Sequence, residues 1–362
     1  MYYINKETRK YMKIQIKKNI KKVLRLFKEN LIAFFSCSNY IVAKKDKIAF
    51  VLFAADYNNI GDIAITYCQK QFLEKELGKE YEIICIYPDD IYKAYRSMKK
   101  IINQTTTIIT LIGGGNTGNI YSFIDDKRLF VLKKFKKEKI VSFPQSLRIS
   151  NDYDGKKWKN EFKQSFLKCK NIKYFFREST SFENFCEHVT NKNVYLVPDI
   201  VFSLGIKPIV ERGNMLGLIL RNDIEKIVKQ DTINFLLNEV SNFFDSQVSI
   251  DTCDVMVNGN GFSQLFEYIE KLKKCEVVIT DRLHGMILCY VLKIPCLVFN
   301  NNNNKIKSTY DTWISDCNYI MYMDDNSVVD AVIAVKKLKK ITDFNKKTFS
   351  KEYNHLIKAL VE

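Results

Sequence analysis

The sequence predicts an α/β fold in which two open, mostly parallel sheets face one another. From about residue 47, short β-rich apolar runs alternate with helix-compatible stretches, a pattern typical of parallel βαβ units. The alternation stops at 205–214, where "GIKPIVERGN" supplies Gly, Pro and charge without periodicity, and then restarts. A length of 362 residues also exceeds what one hydrophobic core usually organises. These observations together predict two domains.

The first half of the chain contains six strand candidates, with helices expected between them, such as 63–77 and 129–138. The candidates are "KIAFVLFAA" (47–55), "YEIICIY" (81–87), "TTIITLIG" (106–113), "KIVSFPQ" (139–145), "IKYFFRE" (172–178) and "VYLVPD" (194–199). Most are rich in β-branched and aromatic residues, which favour strands. We expect these strands to form the sheet of a domain that spans residues 47–208.

The second half repeats the pattern. Its strand candidates are "MLGLILRN" (215–222), "SQVSIDT" (246–252), "CEVVIT" (275–280) and "IPCLVFN" (294–300). Helices are expected near 230–244, near 262–274 and directly after the third of these strands. The pattern predicts a second domain over 209–323 and a helical, lysine-rich tail at 324–362.

Positive charge is concentrated at the start of the chain. The formal net charge is +16, and residues 1–30 hold ten Lys or Arg against Glu7 and Glu29, which is half of the surplus. A surplus of this size indicates acidic substrates, anionic lipid or nucleic acid as partners. Most Phe and Tyr lie in strand-like runs and not between basic residues, so nucleic acid is not expected.

The basic N-terminal segment, residues 1–46, contains an apolar repeat at helical spacing. The repeat consists of Ile16, Ile20, Val23, Leu24, Phe27, Leu31, Phe34 and Phe35, with lysines on the other face. Two alternatives fit this basic amphipathic helix. It packs on the protein's own body, or residues 1–36 dock on an anionic membrane surface.

The ten cysteines form no CxxC pair and no Cys/His zinc pattern, and no secretory leader precedes them. This usage predicts reduced thiols in a cytoplasm. With three histidines in the chain, we expect no metal site. No apolar run approaches the roughly 18 residues of a membrane span.

Polar residues directly after the predicted strands are the candidate functional residues, because ligands of open α/β sheets bind beyond the carboxyl ends of the strands. After the first strand, Asn59 and Asp62 lie in a turn that opens a helix. The helix N-terminus can hold an anion or a sugar hydroxyl. Asp62 is a candidate proton carrier, although an aspartate at a helix start is more often a cap.

A glycine-rich turn, "LIGGGNTGN" (111–119), follows the third strand. Gly113, Gly114, Gly115 and Asn116 could hold a phosphate or a sugar, or the glycines could be needed only for packing. No GK[ST] follows, so the usual nucleotide fingerprints are absent. Gln145, in "SFPQS" at the end of the next strand, is a further candidate.

Arg177 and Asp199 end the last two strands of the first half. Arg177 follows an aromatic run, where an arginine either binds an anion or forms a structural salt bridge to Glu178 or Asp199. Asp199 could orient Arg177, bind a sugar hydroxyl or cap the following turn.

The stretch "TDRLHGMI" carries the clearest candidates, because Arg282 and His284 open an apolar helix directly after an apolar strand. Arginine binds carboxylate or phosphate bidentately, and imidazole donates a hydrogen bond or a proton near neutral pH. The helix dipole adds a third reason for an anion to bind here. The alternative is that His284 is a hydrogen-bonded core histidine.

In their order and intervals, the motifs "NNIGDIAI", "LIGGGN", "SFPQS", "FREST", "VPDIVFSL" and "TDRLHGMI" resemble those of the polysaccharide pyruvyl transferase family. The resemblance covers roughly residues 48–315. It implies a fold similar to GT-B glycosyltransferases, with two Rossmann-like domains facing a cleft. It also implies phosphoenolpyruvate as donor without a cofactor. The acceptor would be a sugar of a cell-surface polysaccharide, or of its lipid-linked precursor, that receives a pyruvate ketal.

The resemblance also implies roles for particular residues. Arg177 and the run Arg282, Leu283 and His284 match donor-binding positions of the family, and the family's lysine after the last strand has candidates in Lys305 and Lys307. We interpret His284 as a phosphate ligand that could also protonate the leaving group. The interpretation makes Asp62 or Asp199 a base toward the sugar.

Two other functions remain open at this stage. A nucleotide-sugar glycosyltransferase would share the GT-B architecture, which does not separate the two activities. A non-catalytic module that binds membranes or nucleic acid through its basic face is the second alternative. Under the leading hypothesis the protein is cytoplasmic and peripheral on the inner membrane face, where lipid-linked glycan precursors are assembled.

Overall fold

The computed structural model describes residues 6–189, 193–206, 213–223, 225–253, 255–323 and 327–362. Its first domain is one sheet of seven strands with helices around it. The strands are β1 (Lys47–Leu52), β2 (Tyr81–Ile86), β3 (Thr106–Leu111), β4 (Gly114–Thr117), β5 (Lys139–Leu147), β6 (Asn171–Phe176) and β7 (Val194–Leu196). The helices are α1 (Lys6–Phe34), α2 (Ile60–Leu77), α3 (Ile91–Ile102), α4 (Ser122–Lys134), α5 (Tyr153–Lys168) and α6 (Ser179–Cys186).

The second domain is a sheet of five strands, again with helices around it. The strands are β8 (Met215–Ile219), β9 (Ser246–Ser249), β10 (Cys275–Thr280), β11 (Cys296–Phe299) and β12 (Ile320–Met323). The helices are α7 (Gln230–Val240), α8 (Phe262–Lys273), α9 (Leu283–Leu292) and α10 (Lys305–Thr309), followed by α11 (Val328–Lys339) and α12 (Asn354–Val361) in the tail.

Both sheets are parallel and both have a topological switch point. The first has the order β2-β1-β3-β5-β6-β7, with β4 paired to β5, and the second has the order β12-β11-β10-β8-β9. The order of strands reverses between β1 and β3 in the first sheet, and between β8 and β10 in the second. Crevices at such points bind ligands in open α/β sheets. The predicted α/β class, with two Rossmann-like domains, is confirmed.

The tail connects the two domains. Helix α11 packs on α7 and on β10, β11 and β12 of the second domain, whereas α12 packs on α2 and β5 of the first. Just before α12, the hydroxyl of Tyr353 donates to the backbone oxygen of Asp199 at 2.7 Å. The tail expected at 324–362 therefore crosses back to the first domain. The predicted linker at 205–214 lies mostly outside the described residues.

Two elements differ from the sequence interpretation. The glycine-rich turn contains the short strand β4, which begins at Gly114 with a φ of 116°, a backbone conformation that favours glycine. Helix α4 begins at Ser122 instead of 129. The first half of α4 could not be recognised from apolar periodicity, because the buried positions are occupied by Asp125, Lys127 and Arg128 instead of apolar residues.

A buried ion pair within α4 holds the glycine-rich turn in place. Arg128 and Asp125 are 0% and 1% exposed, and Arg128 Nη1 lies 2.6 Å from Asp125 Oδ1. Arg128 also donates to the backbone and side-chain oxygens of Asn116, while Asp125 accepts from the Gly118 N–H and the Trp158 indole. Residues 116–118 are thus fixed by a charged network beneath them.

The N-terminal helix α1 packs against α3 on the outside of the first domain. Within the described part of the chain, no helix is both long enough and apolar enough to cross a membrane.

We expect Arg128→Met to lower the free energy of unfolding by about 3–5 kcal/mol, because it leaves the Asp125 carboxylate buried without its charged partner. Urea unfolding of both proteins measures the difference. As a control, Lys273→Met breaks a pair with Glu270, whose side chain is 66% exposed, and should cost less than about 1 kcal/mol. Equal losses for the two variants would contradict a structural role for the buried pair.

Candidate active site

A cleft of about 520 Å³ lies between the domains, where residues that follow strands of both sheets meet. The first domain contributes Tyr57, Asn59, Asp62, Gly115, Asn116, Ile124 and Arg177 to its lining. The second contributes Arg221, Asp223, Glu225, Thr252, Cys253, Arg282, Leu283, His284, Asn301 and Lys305. Arg177 and Arg282, which match donor-binding positions of the family, therefore share one cleft.

Arg177 follows β6 and is 2% exposed. Its Nη1 lies 2.6 Å from Asp199 Oδ2, and its Nε donates to Ser146 Oγ at 2.6 Å. Burial alone would raise the pKa of the Asp199 carboxyl, but the charge of Arg177 and the contact with His284 hold it well below the ordinary value. Arg177 is thus held by a buried ion pair, and its remaining nitrogen, Nη2, lies beside Gly115 in the cleft.

His284 reaches this ion pair from the second domain. Its Nε2 lies 3.5 Å from Arg177 Nη1 and 3.6 Å from Asp199 Oδ2. The other side of the ring packs on the first turn of α2, at Gly61. A Cβ added at Gly61 would overlap His284 Nδ1 and lie 2.8 Å from its Cγ. The approach of the imidazole to the ion pair therefore requires glycine at this position.

Lys305 brings a second cation to the same place. A Cβ added at Gly115 would lie 2.8 Å from Lys305 Nζ and 3.1 Å from Arg177 Nη2, so both nitrogens lie over this glycine. Burial, and then the neighbouring charge of Arg177, lower the pKa of Lys305 to about 8. Close to neutral pH this ammonium can both attract an anion and release a proton. Its neighbour Lys307 pairs with Asp311 at 3.5 Å and does not line the cleft.

Arg282 and Arg221 are balanced by carboxylates. Arg282 binds Asp251 through two nitrogens, at 2.8 Å and 2.5 Å, and its third nitrogen donates to Asp223 at 3.0 Å. Burial opposes the charge of Arg282, but the hydrogen bonds to Asp251 raise its pKa above the ordinary value. Arg221 donates to the same Asp223 carboxylate at 2.8 Å and 3.0 Å.

Asp223 therefore lies between two arginines. Burial acts to raise the pKa of its carboxyl, but the hydrogen bonds from Arg221 and the Glu225 backbone lower that pKa to about 2. Its side chain is 42% exposed, more than that of either arginine. A carboxylate held in this way marks a position that another anionic group can occupy.

The first turn of α2 contributes Asn59 and Asp62. The side chain of Asn59 caps the helix by accepting from the backbone N–H groups of Gly61 at 2.9 Å and Asp62 at 3.4 Å. Asp62 Oδ2 accepts from the Tyr57 hydroxyl at 3.1 Å. Asp62 is thus a carboxylate at the cleft surface, whereas the oxygen of Asn59 is used in capping.

Four predicted site residues have other roles in the structure. Gly113 and Gly114 pack against Ile65, and Gln145 is fully buried, bonded to Ile112 and Thr117, so none of these three is among the lining residues. Both oxygens of Asp199 already have partners, because Oδ1 caps the turn after β7 at Val201 and Oδ2 pairs with Arg177. In the structure the glycines and Gln145 support the turn, and Asp199 caps a turn and positions Arg177, two of the roles that the sequence left open for it. A direct part of Asp199 in catalysis stays a prediction.

Sequence reasoning missed eight residues of the cleft lining, which are Tyr57, Ile124, Arg221, Asp223, Glu225, Thr252, Cys253 and Asn301. Arg221 follows β8, so the rule of inspecting strand ends would have found it. Asn301 lies directly after the strand-like run at 294–300 and is 2% exposed, and its Oδ1 has no hydrogen-bond partner among the described residues. A buried, unsatisfied oxygen beside a cleft is available to a ligand donor. The asparagine run at 300–304 obscured this position.

The described residues contain no group of three or more His, Cys, Asp or Glu side chains arranged to hold a metal ion.

Comparisons with known proteins agree with this geometry. Residues 59–303 match the family described as polysaccharide pyruvyl transferase. General stress protein 30 of Bacillus subtilis is 32% identical over 318 residues, which cover 86% of this chain and 91% of that protein. Pyruvyl transferase 1 of Schizosaccharomyces pombe is 27% identical over 306 residues, which cover 78% of this chain and 73% of that protein. A Klebsiella pneumoniae crystal structure gives a TM-score of 0.53 at 20% identity, covering 85% of this chain and 98% of that one.

Two facing Rossmann-like domains with a charged cleft between them define a protein of GT-B-like architecture. The family match extends over more than half of the chain. The chain belongs to the polysaccharide pyruvyl transferase family.

The lowered pKa of Lys305 is directly measurable. We expect its rate of acetylation by acetic anhydride, followed by mass spectrometry, to reach half of its maximum near pH 8, about two units below the ordinary lysine value of about 10.4. Arg177→Met should move the midpoint upward, because it removes the charge that opposes protonation. An unperturbed midpoint in the wild-type protein would contradict this description of the cleft.

Proposed function

We propose that the protein transfers the pyruvyl group of phosphoenolpyruvate to hydroxyls of a sugar in a cell-surface polysaccharide or its lipid-linked precursor. The products are a pyruvate ketal and phosphate, and no cofactor takes part. The observation that carries this proposal is the convergence of Arg177, Lys305 and His284, from two domains, on one side of the cleft. Family membership supports pyruvyl transfer over the nucleotide-sugar alternative.

Donor binding follows from the charges. Phosphoenolpyruvate carries a carboxylate and a phosphate on one carbon, and both groups need cations once they leave water. Arg177 Nη2 and the Lys305 ammonium face the same glycine and suit one anionic group. The second group would take the place of Asp223 between Arg221 and Arg282. Because the cations come from both domains, donor binding and domain closure are one event.

Ketal formation requires one proton for the methylene carbon and one for the departing phosphate, and it removes a proton from each of two sugar hydroxyls. A proton adds to the methylene carbon of the donor, and a sugar hydroxyl attacks the adjacent carbon and loses its own proton. The bond from that carbon to the phosphate oxygen then breaks, and the second hydroxyl closes the ring as its proton leaves. The two hydroxyl protons balance the proton on carbon and the one that departs with phosphate.

The residues suit these steps to different degrees. Lys305, with a pKa of about 8, is an acid matched to neutral pH, and we assign it the proton for the methylene carbon. His284 lies beside Arg177, where it would bind the phosphate and protonate it on departure. Asp62 is the base toward the sugar, because it lines the cleft with Tyr57 as its hydrogen-bond partner.

We also propose that the protein is cytoplasmic and works on lipid-linked acceptors at the inner membrane face. An acceptor of this kind would enter the same cleft, whose lining includes Asn116 and Asp62.

The proposal is tested by phosphate release from phosphoenolpyruvate with a panel of lipid-linked and nitrophenyl galactosides, glucosides and mannosides. Release that depends on one acceptor, and a mass gain of one pyruvyl group on that acceptor, support it. Thermal stabilisation by UDP, GDP or CMP sugars without any by phosphoenolpyruvate would support a glycosyltransferase instead. Full turnover in both Arg282→Ala and His284→Ala would overturn the assignment of the site.

Gly61→Ala tests the approach of His284 to the ion pair. The added methyl group would displace the imidazole, and a shift of about 1 Å in a catalytic group is expected to lower kcat/KM about 10²-fold. Steady-state kinetics measures kcat/KM, and thermal unfolding verifies that the variant keeps its fold, so a displaced imidazole can be distinguished from an unfolded protein. Gly205→Ala is the matched control, since its added methyl group would have no neighbour within 4 Å. Unchanged activity in Gly61→Ala would be inconsistent with this role of His284.

Asp223→Asn tests whether the carboxylate occupies the position of a donor group. Removing its charge leaves Arg221 and Arg282 with a stronger attraction for an anion, so KM for phosphoenolpyruvate should fall by about two- to fivefold, the range expected for a partly exposed ion pair. Asp311→Asn, which breaks the pair with Lys307 outside the cleft, should leave KM unchanged. A rise in KM for Asp223→Asn would show that this carboxylate only orients the arginines.

A further inference from the structure

Helix α1 contacts the first domain through its charged face. Lys22 Nζ lies 2.9 Å from Asp126 Oδ1, and Arg25 pairs with the other oxygen of the same carboxylate. Near the end of the helix, Ala33 is 2% exposed and lies in the core. A surface helix normally turns its apolar stripe toward the body and its charges toward water. Helix α1 has the opposite orientation.

The outward face of α1 is apolar. Its exposed side chains, which are between 42% and 74% accessible, are Ile20, Val23, Leu24, Phe27, Leu31 and Phe34, followed by Phe35 just after the helix. At 100° per residue these positions fall on one side of the helix, opposite Lys22 and Ala33. A contiguous exposed apolar surface of this kind is typical of a site that binds a membrane or another protein. Helix α1 does pack on the protein's own body, as the first alternative from the sequence expects, but it leaves this apolar face uncovered.

Cations surround the apolar face. The exposed Lys17, Lys21 and Lys28 lie along one edge of it. On the other side, a groove of about 590 Å³ runs between α1 and the helices α4 and α5. Leu26, Leu129 and Phe130 are among the apolar residues that line this groove. Its charged residues are Lys22, Lys133, Lys134 and Lys157, of which Lys22 pairs with Asp126 and Lys133 with Glu161, so the groove keeps a positive excess.

This combination selects one kind of partner. An apolar strip bordered by ammonium groups matches the boundary between the acyl chains and the anionic headgroups of a bilayer. We propose that α1 lies in the surface of an anionic lipid bilayer, with Phe27 and its apolar neighbours below the headgroups and the lysines at the level of the phosphates. The ion pairs to Asp126 then attach the first domain to the embedded helix.

The same geometry relates the bilayer to the cleft. Helix α4 has Ile124 in the lining of the cleft and Lys133 in the lining of the groove beside α1. Nine residues of α-helix separate them, which is about 14 Å. A glycan attached to a lipid in the bilayer is therefore within reach of the cleft. The docking surface itself does not depend on the donor or on the reaction.

The test is sedimentation of the full chain with vesicles of pure phosphatidylcholine and with vesicles that contain phosphatidylglycerol. We expect binding only to the anionic vesicles, weakened by added salt. The double variant Leu24→Glu, Phe27→Glu should reduce that binding by at least about tenfold, because it places two carboxylates at an anionic surface. Phe235→Glu is the matched control on the exposed face of α7, where the side chain is 54% accessible, and should bind as the wild type does.

Circular dichroism and thermal unfolding verify that both variants keep the fold. Absence of binding to anionic vesicles would overturn the proposal, as would equal loss in the two variants. Light scattering measures the oligomeric state and tests the competing explanation. If the wild type is a dimer and the double variant is a monomer, a second copy of the chain covers the face and the proposal is overturned. Because the assay contains neither donor nor acceptor, its result is independent of the proposed reaction, and turnover of a soluble acceptor should be equal in all three proteins.

Discussion

The buried ion pair between Arg177 and Asp199 is the interaction on which the site depends. Both groups are almost fully buried, so each would be costly without the other. The pair also receives contacts from the second domain and from the tail, since His284 lies within 3.6 Å of it and Tyr353, in the tail, donates to the Asp199 backbone oxygen. Trp313 donates to the backbone oxygen of Arg177 at 2.7 Å as well. The ion pair therefore has two roles. It is a point where residues of both domains are in contact, and it holds Arg177 so that Nη2 faces the cleft.

Charge in the cleft is closely balanced. Asp199 compensates Arg177, Asp251 compensates Arg282, and Asp223 is shared between Arg221 and Arg282. Several uncompensated cations in one cleft would repel one another and lower the stability of the fold. The carboxylates that compensate them differ in exposure, since Asp199 and Asp251 are buried and Asp223 is 42% exposed. The proposed donor binding uses this difference, because it places an anionic group of the donor where Asp223 lies. Burial, and then repulsion by the charge of Arg177, lower the pKa of Lys305.

Much of the fold could be predicted from the sequence, because parallel strands in the core are apolar along their whole length. The runs at 47–55, 106–113 and 275–280 contain β1, β3 and β10 for this reason. Helix α4 was placed too late in the chain, since a buried charge network has no apolar periodicity. The outward orientation of α1 also could not be predicted, because the same pattern fits an apolar stripe that faces either the core or a bilayer.

The site was only partly predictable. The rule that ligands bind at strand ends selects Arg177, Arg282 and His284, and the same rule applied to β8 would have selected Arg221. It does not say which polar groups at a strand end are already used, so it cannot distinguish a ligand-binding Gln145 from one that is bonded to the protein itself. For Asp199 it leaves capping, orientation of Arg177 and catalysis equally open, and the structure shows the first two. Only three-dimensional packing brings Lys305, Gly115 and Arg177 together, since they belong to distant parts of the chain.

The proposed reaction requires cations of both domains to meet around the two anionic groups of one small molecule. The most direct measurement is a crystal structure of the protein with phosphoenolpyruvate bound. We expect the donor in the cleft, with one anionic group within hydrogen-bond distance of Arg177 Nη2 and Lys305 Nζ, and the other at Arg221 or Arg282. A donor that contacts residues of one domain alone, or that binds outside the cleft, would contradict the account.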